Sequence, residues 1–315
     1  MGLSIQGYEQ SDVEPMLDLF NQQTAHVRHV ARLTSRMFAE LVEAKSYFDP
    51  AGVLVARSGG DVVGWIHACV APGSESWQDP KQSVARIRML VYRPEDPRVG
   101  YALVERATAW LEAGGAKTML AWHAQSGYPF YRGLWFGGES MCPATMPHLH
   151  MAFEVGGYKV TQQSVFFTAN MADEPAVIEP EIAVEFNEHP AEMAHEPMRQ
   201  SWVGFEPRVT GAHVDGQYVG GISWVIQTHL AEKLGAPCMN IWGLGVSEKY
   251  QRNRIASALI SRAMASSYKM GARSASVGTQ IWNTAAHMTY TRMGYRPLCI
   301  MMGRQRKVES QESGS

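Results

Sequence analysis

The feature that most constrains this chain is that it repeats itself. Arg262-Ala263 matches Arg106-Ala107 at an offset of 156 residues (262 minus 106), which also pairs Ala258-Leu259 with Ala102-Leu103 and Gly271-Ala272 with Gly115-Ala116. Further on, residues 286–295 (Ala-His-Met-Thr-Tyr-Thr-Arg-Met-Gly-Tyr) match 149–158 (Leu-His-Met-Ala-Phe-Glu-Val-Gly-Gly-Tyr) at an offset of 137 (287 minus 150). The 19 residues lost between the two offsets (156 minus 137) correspond to an aromatic, glycine-rich loop within residues 125–147 of the first copy. A period this long signals two copies of one structural plan. Length agrees, since 315 residues exceed the usual size of one domain.

Hydrophobic periodicity and turn residues outline the plan. In the first copy they predict helices over 12–22 and 33–47, strands over 52–57 and 62–70 joined by Ser-Gly-Gly-Asp, and a strand over 85–92. A helix over 98–113, a strand over 117–122, a helix over 148–155 and a strand over 158–167 follow. The second copy is read as a strand over 181–186, a helix over 191–202, and a hairpin of 210–214 and 217–226 turned at Asp215-Gly216. Next come a helix over 254–269, a strand over 272–279, a helix over 283–292 and a strand over 295–302. The expected domains are 1–170 and 181–308, with a Pro- and acid-interrupted linker at 171–180 and a disordered tail at 309–315. Trp135 and Phe136, in the aromatic loop, are expected to serve core or interdomain packing.

Charge narrows the function classes. A net charge of -2 and a pI near 6.6 argue against a broad nucleic-acid or acidic-membrane surface. No stretch approaches the roughly 20 apolar residues that span a bilayer, and the N-terminus lacks a signal-peptide pattern. The expectation is a cytoplasmic protein without membrane or nucleic-acid partners. Cys69, Cys142, Cys238 and Cys299 form no Cys-x-x-Cys pair, and His26, His29, His148 and His150 lack partners at zinc spacing, so no metal is expected.

The stretch from Asn240 to Leu259 carries the chemistry. It reads as an apolar strand interrupted by Gly243 and Gly245, a polar turn, and the first turns of a helix. Glycine inside a strand marks a bend, or a place where something approaches the backbone closely. Amides at a helix start attract anions, through their unpaired donors and the helix dipole together.

This order of elements, met twice, resembles the GNAT superfamily of N-acyltransferases, whose pyrophosphate turn reads Gln/Arg-x-x-Gly-x-Gly/Ala. The second copy has Gln251-Arg252-Asn253-Arg254-Ile255-Ala256, with Arg254 where glycine is usual. Arginine is accommodated there if its φ stays negative. The resemblance implies an α/β fold of two tandem GNAT units, each a mostly antiparallel mixed sheet flanked by helices, similar to mycothiol synthase-type proteins. It further implies that acetyl-CoA is held by the backbone near Leu244 and Val246, by Gln251, Arg252, Asn253, Arg254, Ile255, Ala256 and Ser257, and by Asn283. Tyr290 would protonate the departing thiolate.

In the first copy, Glu95, Asp96 and Pro97 occupy the turn, Ile87 and Met89 stand for the two glycines, and Phe153 stands for the tyrosine. Tyr131 is the alternative counterpart, if the aromatic loop is read as the helix. That half reads as a degenerate copy. The implied function is N-acetyltransfer to a small-molecule amine in the second half, or, alternatively, a silent module that binds CoA or a small ligand as a sensor or interaction protein. No general base is identifiable: Ile241 and Trp242 fill the strand positions where relatives carry an acid. His229, Glu206 and Asp215 are candidates by location only.

Overall fold

Two hairpins, turned at Gly59-Gly60 and Asp215-Gly216, give each half its centre. All four turn residues have positive φ, the conformation that matches the twist of the flanking strands. The computed structural model describes residues 2–72, 83–123, 129–135, 141–193 and 195–308. The first half runs β1 (Leu3–Gly7), α1 (Val13–Thr24), α2 (Ser35–Phe38), β2 (Val53–Ser58), β3 (Asp61–Pro72), β4 (Ser83–Tyr92) and α3 (Pro97–Ala113). It continues with β5 (Thr118–Ala121), a short β6 (Cys142–Pro143), α4 (Pro147–Val155) and β7 (Lys159–Asn170). The second half runs β8 (Glu185–Pro190), α5 (Glu196–Ser201), β9 (Arg208–Val214), β10 (Gln217–Gln227), α6 (Ala231–Leu234) and β11 (Cys238–Val246). It ends with α7 (Ile255–Lys269), β12 (Ser274–Gln280), α8 (Thr284–Arg292) and β13 (Arg296–Lys307).

The expected mixed α/β architecture forms, with local shifts. Residues 181–184 do not enter the sheet. The Glu181 amide donates to the Asn253 carbonyl at 3.0 Å, and just upstream the Ile178 amide donates to Ser261 Oγ at 2.9 Å, so this segment follows α7 instead. The strand begins at Glu185, where pairing with β9 starts. The helix predicted over 191–202 starts only at Glu196, because the Ala191 amide still donates to the Pro207 carbonyl and Pro197 fits the first helical turn. The helix predicted over 33–47 is α2 followed by a π turn at Ala39–Glu43. β1 carries no pattern that announces it.

The strand order is β1-β2-β3-β4-β5-β13-β7-β12-β11-β10-β9-β8, with β6 on β13. Once β13 and β7 are matched as equivalents, the order reads the same from both ends. Each half ends on a strand that crosses into the other: β13 pairs with β5, and β7 pairs with β12. The two crossed strands also pair with each other, from Arg296↔Thr168 to Gln305↔Lys159. Consequently Phe167, Ala169 and Met171 of the first half are buried in the core of the second, in one cluster with Leu259 and Ala263 of α7.

Side chains reinforce the seam. Lys45 donates to the Gln200 carbonyl, Lys233 Nζ to the Thr24 carbonyl at 2.8 Å, and Arg132 Nε to the Ser201 carbonyl at 2.8 Å. Trp135 is buried and meets Phe20 edge to face, so the described part of the aromatic loop packs as expected; Phe136 and the tail at 309–315 lie outside the described residues. No described helix is long and apolar enough to cross a membrane.

If a protease site is placed in the 171–180 segment and cut, the two pieces are expected to co-elute on size exclusion in native buffer and to separate only in denaturant. Separation without denaturant would show that the crossed strands do not hold the halves together.

Candidate active site

β11 is held on both edges only for its first residues. Its parallel pairing with β12 runs from Cys238↔Ser274 to Ile241↔Val277 and stops. On the other edge Trp224 faces Ile241 while Ser223 faces Gly243, so Trp242 is the extra residue of a bulge. The two strands splay from there, and residues 242–246 keep one backbone edge without a strand partner. A Cβ built on Gly245 would meet nothing within 4 Å, so neither packing nor backbone conformation explains this glycine. A cleft of about 950 Å³ opens along the splay, lined by β11, the turn after it, α7, β12 and α8.

The turn supplies unpaired donors. None of the six amides from Arg252 to Ser257 donates to an acceptor among the described residues, and the first intrahelical bond of α7 comes from Ala258 to the Arg254 carbonyl. Arg252 and Arg254 both adopt left-handed backbone, with φ of 66° and 61°. Alternating left-handed residues curl successive amides toward one side, which makes an anion-binding concavity. The condition of a negative φ at Arg254 is therefore not met: the turn geometry overrides the preference of an L-residue, at a cost of about 1–2 kcal/mol. Gln251 and Asn253 brace the loop. Gln251 Nε2 donates to the Val246 carbonyl at 3.1 Å, and Asn253 Nδ2 to the Tyr250 and Gln251 carbonyls at 3.2 Å each.

The structure brings Leu244, Val246, Gln251, Arg252, Arg254, Ile255, Ala256, Ser257, Asn283 and Tyr290 to the cleft; Asn253 is not among its lining residues. Asn283 is the N-cap of α8, its Oδ1 accepting from the Ala286 amide at 3.2 Å. Tyr290 is 5% exposed, and burial pushes its phenol up to about 12. Its ring sits between Tyr295 and Phe167 of the crossed strand, at 5.8 and 6.0 Å between centroids. Sequence reasoning missed Glu181 and Arg292, which also line the cleft. Arg292 had only the weak signal of a basic residue at a helix end. Of the charged side chains in the lining, three are arginines (Arg252, Arg254, Arg292) and one is Glu181, a balance that suits a polyanion. His229, Glu206 and Asp215 do not line the cleft.

The first half opens in the same way and is then filled. Its parallel pairing stops at Ile87↔Ala121, and its bulge falls at Arg88, between His67↔Met89 and Ala68↔Ile87. This register sets Met89 and Val91 opposite Gly243 and Gly245, which corrects the expected Ile87 and Met89. Trp122, the counterpart of Gly278, turns its indole into the splay and donates from Nε1 to the Arg88 carbonyl at 2.9 Å. Phe153 packs on it at 5.1 Å, and a cavity of only about 10 Å³ remains beside Met89 and Val91.

Phe153 is the structural counterpart of Tyr290. Its carbonyl accepts from the Tyr158 amide as that of Tyr290 accepts from Tyr295. Tyr131 is buried elsewhere, its hydroxyl 2.8 Å from His67 Nδ1. Aligned on the flanking strand and helix, the connection is two residues shorter; α3 starts after residues 93–96 whereas α7 starts after 247–254, and amides there pair locally, Asp96 to the Arg93 carbonyl and Val99 to the Asp96 carbonyl.

The splayed strand pair followed by a turn and a helix is present twice, and only the second copy keeps the splay open and the amides at the helix start unpaired. Residues 175–295 match the acetyltransferase (GNAT) family, and the fold of the whole chain is tandem GNAT-like. Among solved structures it is similar to a tandem GNAT protein from the clavulanic acid biosynthesis pathway, with a TM-score of 0.66 and 15% identity over 99% of this chain and 100% of that one. A GCN5-related N-acetyltransferase from Sphaerobacter thermophilus aligns with a TM-score of 0.64 and 13% identity over 98% and 96% of the two chains. A glucosamine N-acetyltransferase region of a fungal multi-domain GH3 β-N-acetylglucosaminidase gives 0.68 and 12%, over 97% of this chain and 38% of that one. Such identities speak to fold alone. No curated protein matches the chain in sequence.

Two substitutions test the site as a binding surface. Gly245→Val, which copies the first half, is expected to leave the melting temperature unchanged and to weaken acetyl-CoA binding at least roughly tenfold by calorimetry, since it fills the open edge. Arg254→Gly is expected to be no less stable than the parent, because relief of the left-handed cost offsets glycine's entropy. It should weaken acetyl-CoA binding roughly two- to fivefold, the worth of one exposed ion pair. Equal binding by both variants and the parent would place the cofactor elsewhere.

Proposed function

We propose that the second half is an N-acetyltransferase that uses acetyl-CoA and acts on a small-molecule amine. The observation that carries this reading is the row of six unpaired amides at the start of α7, facing a cleft with three arginines and an unpaired strand edge. The chain's own residues suit the cofactor in three places. The turn amides with Arg252 and Arg254 match a pyrophosphate, the free edge at residues 242–246 matches an extended amide-bearing arm, and Gly245 leaves space beside that edge. Bound acetyl-CoA supplies an activated acyl thioester.

Within this reading the protein binds, aligns and moves one proton. Backbone donors along the free edge of β11 polarise the acyl carbonyl as a fixed dipole array, which requires no reorganisation during the reaction. Tyr290 Oη delivers a proton to the leaving sulfur. Because burial holds the phenol near 12, the donor stays protonated throughout the neutral range. Alignment in the cleft supplies much of the remaining rate.

Tyr290→Phe separates a transferase from a silent cofactor sensor. The variant is expected to keep acetyl-CoA affinity by calorimetry while thiol release over a broad amine panel falls roughly 10²- to 10⁴-fold, the usual worth of a general acid. In the parent protein no loss of rate from donor deprotonation is expected below about pH 10. Cofactor binding without thiol release by the parent would favour the sensor.

A further inference from the structure

Trp242 is the residue that the bulge expels from the ladder, and it opens onto the same cleft as Tyr290. It is 37% exposed. Behind it stands Trp202, 4% exposed, with ring centroids 5.2 Å apart, and behind Trp202 lies Arg132 of the first half, its guanidinium carbon 3.6 Å above that ring. The ladder fixes the Trp242 indole from the side of the seam and leaves its open side to the cleft.

The cleft that Trp242 and Tyr290 share is also lined by Ile241, Val277 and Thr279, which are aliphatic or hydroxyl-bearing. Its other titratable lining groups are Glu181 in the segment before β8, Tyr250, Arg252 and Arg254 of the turn, and Arg292, two residues after Tyr290 at the end of α8. His287, three residues before Tyr290, has its Nε2 3.1 Å from the Gln280 carbonyl and its ring against Phe167. His229 stands edge to face with Phe205. Among the described lining residues there is no imidazole, and the one carboxylate, Glu181, is tied to the turn through its amide on the Asn253 carbonyl.

An alkylamine at neutral pH carries its lone pair in an N–H bond and needs a base before it can attack. An amine conjugated to a ring is weakly basic, is already neutral, and brings a flat face that stacks on an indole. Resting on the acetyl-transfer reading above, we propose that the acceptor is a weakly basic aromatic amine, seated against Trp242 and acetylated as its free base. Its nitrogen lone pair forms the C–N bond, and the C–S bond breaks with its electron pair on sulfur. Tyr290 Oη protonates that sulfur, and the proton shed by the acylated nitrogen returns to the phenolate through solvent.

The test follows thiol release from acetyl-CoA with two probes that share one ring, an arylamine and the matching arylmethylamine, across about pH 6 to 9. The arylamine rate is expected to stay flat. The arylmethylamine rate should start far lower and rise roughly tenfold per pH unit as its free base appears. Trp242→Ala should raise the arylamine KM roughly tenfold with acetyl-CoA affinity intact, and Trp242→Phe should recover most of the loss. Preference for the arylmethylamine at neutral pH, one shared titration near neutrality for both probes, or an unchanged KM in Trp242→Ala would each overturn the proposal. Acetyl-CoA binding without thiol release for any amine would instead remove the transfer reading itself, and this inference with it.

Discussion

The crossing of the two final strands is the constraint on which the rest of the molecule depends. β12 is held along its whole length by β7, from Ser274↔Asn170 to Gln280↔Ser164, while its other edge releases β11 after Ile241. A short strand free on one edge tends to fray or to find a new partner. Here the first half supplies the second ladder that keeps β12 in place, so the splay persists without side chains to wedge it open. The same crossing sets Phe167 against Tyr290, so the orientation of a cleft residue in one half is shaped by a strand of the other.

Comparison of the halves separates the mechanical opening from its use. Both bulge at the residue after the last parallel pair, Arg88 and Trp242, and both lose pairing beyond it. A buried backbone carbonyl at such a point needs a donor. In the first half Trp122 provides one from within the chain, and Met89, Val91 and Phe153 fill the space around it. In the second half Gly278, Gly243 and Gly245 leave that space empty. The splay belongs to the fold; which half can take a ligand is decided by a handful of side-chain volumes and by two residues of turn.

Most of the local plan was legible because its signals are local. Gly59-Gly60 and Asp215-Gly216 marked both hairpins, and the resemblance of the last helix to the family motif led to Tyr290. What stayed hidden was non-local or went against local preference. Strand exchange leaves no trace in periodicity, since β7 and β13 look the same whichever neighbour they choose. The two-residue difference in the turn shifts the strand offset from 156 to 154 (241 minus 87), which helix matches alone do not reveal. Ile182 and Val184 alternate as a strand would, yet they pack along a helix. Arg254 takes a conformation that its side chain disfavours, so only the folded turn discloses it. Asn253 spends its side-chain amide on holding the turn, a role the motif does not announce, and only its backbone amide stays unpaired beside those of its neighbours.

If two separate copies of one chain crossed their last strands in this way, every substitution would appear in both clefts at once. Joining the copies end to end removes that coupling. Trp122 then closes one opening while its counterpart Gly278 leaves the other free, and the closed half still lends β7 to the open one. Closure of the splay in one copy is thus compatible with a continuing mechanical duty, and tolerance to mutation should be uneven: broader among the apolar side chains that fill the closed splay than along the strand that crosses.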